Sequence, residues 1–151
     1  MSGLVGQVGA RSGVVGSTTD STQLEYEEGT WTPSLGGDTS YNAQYGRYQK
    51  VGNICHIQFK LAVNIRGTGS MSNMGGLPFT SANISSVQTG CCSYYVNLAI
   101  NTEYVAFYVE NNATDVLFVS STGSPASGVT NGPSLFNDNS VIYGSASYFI
   151  A

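Results

Sequence analysis

The chain is poor in charge. Only 9% of its 151 residues are Asp, Glu, Lys or Arg, against roughly 25% in an average globular protein. Five residues are basic and the formal net charge is −4. A nucleic-acid binder needs a basic footprint to displace counterions, so a nucleic-acid partner is excluded. No apolar run approaches the roughly 18 residues of a membrane span, which argues against membrane insertion. The first residues lack the basic segment and unbroken apolar stretch of a secretory signal. Cysteine is scarce: Cys55, Cys91 and Cys92 are odd in number and lack C-x-x-C spacing. That pattern fits unpaired, buried thiols in a reducing compartment better than a disulfide framework. With one histidine, His56, no zinc ligand set assembles at suitable spacing. The Gly-rich stretches lack the Gly-Lys-Ser/Thr ending of a phosphate-binding loop, so no cofactor is expected.

What is abundant is glycine (19 residues) and aromatic side chains, with ten Tyr, six Phe and one Trp. A surface with so few charges is neutral and polar or buried in contacts, and a lone monomer would be poorly protected against association. An obligate oligomer is therefore expected.

No long amphipathic helix can be read. Apolar residues alternate, and Gly, Asn, Ser and Pro punctuate them. The clearest strand is Ile54–Ile65. Cys55, Ile57, Phe59, Leu61, Val63 and Ile65 fall on one face, and Ile54, His56, Gln58, Lys60, Ala62 and Asn64 on the other. A shorter strand over 45–51 precedes it, joined by Gly52-Asn53, a pair that tolerates the positive φ of a tight hairpin. Further strands are predicted over 86–90, 93–101, 104–110, 115–120 and 141–150, with a turn at Asn111-Asn112. Residues 66–76 and 123–133 read as loops. The expected fold is all-β, an antiparallel sandwich of jelly-roll type. Residues 25–151 form this body, and 1–24 form an extended arm.

Chemistry is thinly represented. A histidine-dependent triad would have to run through His56, which the alternation places on a polar strand face, and no G-x-S-x-G elbow exists. Glu25, Glu27 and Glu28 form the one acidic cluster. Paired carboxylates hydrolyse glycosides when held at the right separation, but Glu27 and Glu28 are neighbours beside Gly29, where a solvated turn is expected. The chain is not expected to be an enzyme.

The segment Tyr26-Glu-Glu-Gly-Thr-Trp-Thr-Pro33 carries Glu27, Glu28, Gly29, Trp31 and Pro33. Tyr45-Gly-Arg-Tyr48 follows, then Lys50-Val-Gly-Asn53, the long strand, and Gly76-Leu-Pro-Phe79. This order resembles a block in virion proteins of tailed bacteriophages, both capsid decoration proteins and tail-fibre tips, and covers residues 25–80. The resemblance implies structural roles for Gly52, Asn53, Leu77, Pro78 and Phe79, a β-sandwich assembling as a homotrimer, and a place on the virion surface after synthesis in the host cytoplasm. Trp31 is expected to cap the start of the body. Leu77-Pro78-Phe79 suits an edge strand or a corner.

Ahead of the block, Ser2-Gly-Leu-Val-Gly6 returns ten residues later as Ser12-Gly-Val-Val-Gly16. An arm of this kind attaches by adding backbone hydrogen bonds to a sheet edge and burying alternate apolar side chains. Leu4, Val5, Val8, Val14 and Val15 are the candidate contacts, with Arg11 available to an acidic partner. One body, one short arm and no shaft favour a decoration (cement) protein clamped to the major capsid protein. The alternative is a fibre tip or receptor-binding knob that uses Tyr41, Tyr94, Tyr95 and Tyr143 to bind a host surface glycan.

Overall fold

Among the described residues nine strands form, the long ones where the alternation is strongest. In a computed structural model that describes residues 25–99, 102–121, 130–131 and 134–151, they are β1 (Tyr26–Trp31), β2 (Ser40–Val51), β3 (Ile54–Ile65), β4 (Asn73–Gly75), β5 (Gln88–Val96), β6 (Tyr104–Val109), β7 (Asp115–Ser121), β8 (Thr130–Asn131) and β9 (Val141–Phe149). All pairings are antiparallel, in the order β1-β2-β3-β9-β5-β6-β7-β4, with β8 on β7. The all-β antiparallel body read from the sequence is the body that forms. Its strands form one continuous sheet, curled into a half-barrel.

The predicted β3 matches the structure residue for residue. Its hairpin with β2 turns at Gly52, with φ of 59°, a conformation that glycine adopts without a Cβ penalty. The described residues of the 86–101 region hold one strand where two are expected. A bulge between Cys92 and Tyr94 lets β5 stay paired with β9 while one extra residue is absorbed. Glu27 and Glu28 lie in β1 rather than in a turn, because Gly29 is held flat in the ladder opposite Tyr48. Short β4 lies within the expected 66–76 loop and pairs with β7. Expectations for the 1–24 arm, including Leu4, Val5, Val8, Arg11, Val14 and Val15, and for most of 123–133, fall outside the described residues.

The core lies on the inner face. Cys55, Ile57, Phe59, Leu61 and Val63 are all buried there, while Ile65 is exposed at the strand's end. An aromatic chain crosses the half-barrel. Trp31 meets Phe59 at 6.1 Å between ring centroids, Phe59 meets Phe107 at 5.5 Å, Phe107 meets Phe118 at 5.7 Å, and Phe118 meets Phe136 at 5.1 Å. Such tilted and edge contacts add about 0.5–1.5 kcal/mol each beyond their area.

Glycine makes room for these rings. Gly46 lies in register between Trp31 and Phe59, Gly90 faces Phe107, and Gly144 faces Phe59. A Cβ on Gly46 would come within 2.5 Å of the Trp31 indole, and one on Gly90 within 2.3 Å of the Phe107 ring. A glycine weakens a strand by itself, and an aromatic ring laid across it from the neighbouring strand restores the packing.

Candidate recognition face

The outer face follows from the same period. Inward residues take the core, so their neighbours in sequence line up outside, and the registers join them across the sheet into stripes. Four stripes lie across β1, β2, β3, β9 and β5. The first is Tyr26, Val51, Ile54 and Phe149. The second is Glu28, Gln49, His56 and Ser147. The third is Thr30, Arg47, Gln58, Ser145 and Cys91. The fourth is Tyr45, Lys60, Tyr143 and Tyr94. Stripes two residues apart along a strand are about 6.6 Å apart.

The two middle stripes are polar. Glu28, Arg47, Gln49, His56 and Gln58 line a hollow of about 470 Å³, floored in part by Tyr48. His56 Nδ1 lies 3.0 Å from the Ser147 hydroxyl. Tyr26 donates its hydroxyl to the Glu28 carboxylate at 2.5 Å, and this bond is the main cause holding the Tyr26 phenol above its ordinary pKa. On the inner side of β1, Tyr48 likewise donates to Glu27 at 2.6 Å and is raised mainly by that bond. Glu27 and Glu28 therefore point to opposite faces of one strand, each with its own tyrosine.

The fourth stripe is aromatic and open. Tyr45 is 67% exposed and Tyr94 48%. The Tyr94 and Tyr143 rings lie 5.0 Å apart, tilted by 35°. The Lys60 ammonium sits 5.2 Å from the centre of the Tyr143 ring, a cation–π pair that anchors the ring in place. Flat π-faces beside hydrogen-bonding Gln, Arg, His and Ser side chains suit a ligand with both C–H faces and hydroxyls.

The remaining sequence-predicted residues build the body. Trp31 is a core residue rather than a cap, because Gly46 leaves space for its ring, and its Nε1 donates to the Arg47 carbonyl at 3.3 Å. Pro33 is buried, and its carbonyl accepts from Gln44 Nε2 at 2.9 Å. The Asn53 carbonyl accepts from the Ile150 amide at 2.9 Å. Leu77, Pro78 and Phe79 form a corner. Leu77 is buried, Phe79 stands edge-on to Tyr48, and the Phe79 backbone exchanges two hydrogen bonds with the Tyr148 hydroxyl.

Of the tyrosines expected outside, Tyr94 and Tyr143 join the stripe. Tyr41 and Tyr95 pack against the core instead. Tyr95 lies opposite the buried Ile142 on the inner face, and the Tyr41 hydroxyl accepts from the Leu35 amide at 2.7 Å. Tyr45 was missed, although it alternates with Gly46 at the outer position. The expected thiol burial holds for Cys55 but not for Cys91, which is exposed with its sulfur 3.8 Å from the Ser145 hydroxyl. Cys92, on the inner side, has its pKa pushed up to about 12 by burial and, secondarily, by Cys91.

No family model matches the chain, and no curated protein does. Among solved structures, the Dettilon tailspike protein is similar in fold, with a TM-score of 0.64 at 15% sequence identity. The match covers 83% of this chain and 24% of that one, so the chain spans about a quarter of that protein's length.

Proposed function

We propose that this protein is a structural component of a tailed-phage virion, exposed on its surface as a homotrimeric tail-side recognition module. Its ligand is a host surface glycan, bound on the outer face of β2, β3, β9 and β5. The observation that carries this reading is the open stripe of Tyr45, Lys60, Tyr143 and Tyr94 beside two polar stripes. Tyrosine rings offer sugar C–H groups a flat face at low entropic cost, and the Arg47, Gln58 and Gln49 side chains meet hydroxyls. The resemblance of residues 25–80 to a block in phage virion proteins supports a virion component of either kind, and the tailspike-like fold is compatible with the tail-side reading. Weak single sites suffice, because a trimer binds multivalently. No catalytic role is proposed, since Glu27 and Glu28 diverge and cannot share one substrate bond.

The test is binding of the purified protein to arrays of neutral and acidic bacterial surface glycans. Tyr143→Ala should abolish a signal that the native protein gives. An array without signal, together with undiminished phage adsorption in excess free protein, defeats the reading. A second reading, a capsid decoration protein held to the major capsid protein by its arm, is favoured by the repeated pentad of residues 2–16. Immunogold labelling of intact particles separates the two: gold on tails supports recognition, gold on heads supports decoration. Light scattering checks the trimer, and a monodisperse monomer at micromolar concentration rejects it.

A further inference from the structure

The first stripe of the outer face plays no part in the proposed glycan site. Tyr26, Val51, Ile54 and Phe149 are register partners on four adjacent strands and are 60%, 45%, 43% and 40% exposed. Exposed apolar residues scattered singly need no explanation, but four in one continuous row form a patch, and such patches mark interaction sites. Beside it on the same face, the Tyr26 hydroxyl donates to the Glu28 carboxylate at 2.5 Å, while the Glu25–Lys50 ion pair lies on the opposite face of the sheet, where Lys50 is in register with the buried Cys55.

The place and chemistry of the row point to its occupant. Tyr26, its first member, is also the first residue of β1, so residues 1–24 join the body at the row's end. The long apolar side chains there are few, and the pentads Ser2–Gly6 and Ser12–Gly16 hold Leu4, Val5, Val14 and Val15. An extended pentad spans about 13 Å, and three inter-strand spacings span about 14 Å, so one pentad matches the row's width. Gly6 precedes Tyr26 by twenty residues, a reach of about 65 Å. The eight-strand order measures about 34 Å across. The segment is long enough to pass beyond its own body.

We infer that residues 2–16 of one copy pack on the Tyr26–Val51–Ile54–Phe149 row of a second copy. The arm is then a device for joining like subunits, and the glycines of each pentad let its backbone approach the sheet closely. This goes beyond the glycan reading and stands or falls separately from it.

Mixing of variants with one introduced cysteine, the buried Cys55 and half-buried Cys92 being kept, tests it in the full chain. Val5→Cys and Ile54→Cys are prepared separately, each with Cys91→Ser, then mixed and oxidised. The expected result is a mixed disulfide dimer, at least tenfold over that formed by Val5→Cys mixed with protein retaining the exposed Cys91. Equal capture at both positions, or none, overturns the proposal. So does a double variant, Val5→Cys with Ile54→Cys, that closes only within one chain. In parallel, Ile54→Glu, Val51→Glu and deletion of residues 2–16 should each reduce the sedimenting mass, with circular dichroism reporting whether the strands are retained. Mass unchanged in all three overturns it as well.

Discussion

Along β3, Ile57, Phe59 and Leu61 point inward and are at most 5% exposed, while Gln58 and Lys60 between them face outward beside Arg47 and Tyr143. One strand thus supplies both the packing of the half-barrel and the candidate recognition surface. The inner side is continuous, its rings in contact one after another, with Gly46, Gly90 and Gly144 making room for Trp31, Phe107 and Phe59. The outer side is modular, with apolar, polar and aromatic stripes separated by two residues. Inner residues are constrained by several strands at once, whereas an outer residue answers mainly to its two cross-strand neighbours. Stability and recognition should therefore be separable by residue parity.

Four experiments press on that separation. Phe118→Ala removes a fully buried ring in contact with both Phe107 and Phe136. It should cost about 3–5 kcal/mol in urea unfolding, and a cost below 1 kcal/mol would mean that the aromatic chain is not holding the core. Gly90→Ala acts from the opposite direction, by overfilling. Its new methyl must displace the Phe107 ring, and a loss of about 1–3 kcal/mol is expected in the same assay. Tyr143→Ala, on the outer face, should change stability by no more than about 1 kcal/mol while glycan binding is lost; a large drop in stability would erase the distinction between faces.

The adjacent thiols give the smallest and cleanest contrast. Iodoacetamide should label Cys91 in the native protein and spare Cys92 and Cys55. Folding raises the Cys92 pKa from an ordinary value of 9.0 to about 12, so the folded state retains a proton that the unfolded chain releases. That contribution to stability is complete below pH 9 and is lost as pH rises towards 12. Cys92→Ala should flatten the alkaline decline of stability over that window, measured as the urea midpoint against pH.

Much of this was legible in the sequence. The period of β3, the Gly52-Asn53 turn and the Asn111-Asn112 turn all depend on near neighbours in the chain. The recognition face was less so. Tyr45, Lys60, Tyr143 and Tyr94 come from four strands, and only the registers β2–β3, β3–β9 and β9–β5 bring them into line. A bulge after Cys92 changes which tyrosines face out, sending Tyr95 inward, and alternation counted from the sequence cannot locate the extra residue. The roles of Gly46, Gly90 and Gly144 were hidden for the same reason, since each is explained by a ring on another strand. The β1 edge reads as a turn in the sequence because of Gly29, whereas its partner Tyr48 keeps it extended.

The position of β9 has a temporal consequence. This strand, the last of the described ones, is inserted between β3 and β5 and contributes Ile142, Ala146 and Tyr148 to the core. His56 and Ser147, paired across it, are 91 residues apart in sequence. A nascent chain can form the β2–β3 and β6–β7 hairpins early, but the two halves have no seam until β9 leaves the ribosome. Folding of the whole sheet should therefore be slow and late, as for other topologies dominated by distant pairings. Until then both flanks of that seam remain open edges, so the interval before β9 arrives is when chaperone protection would matter most.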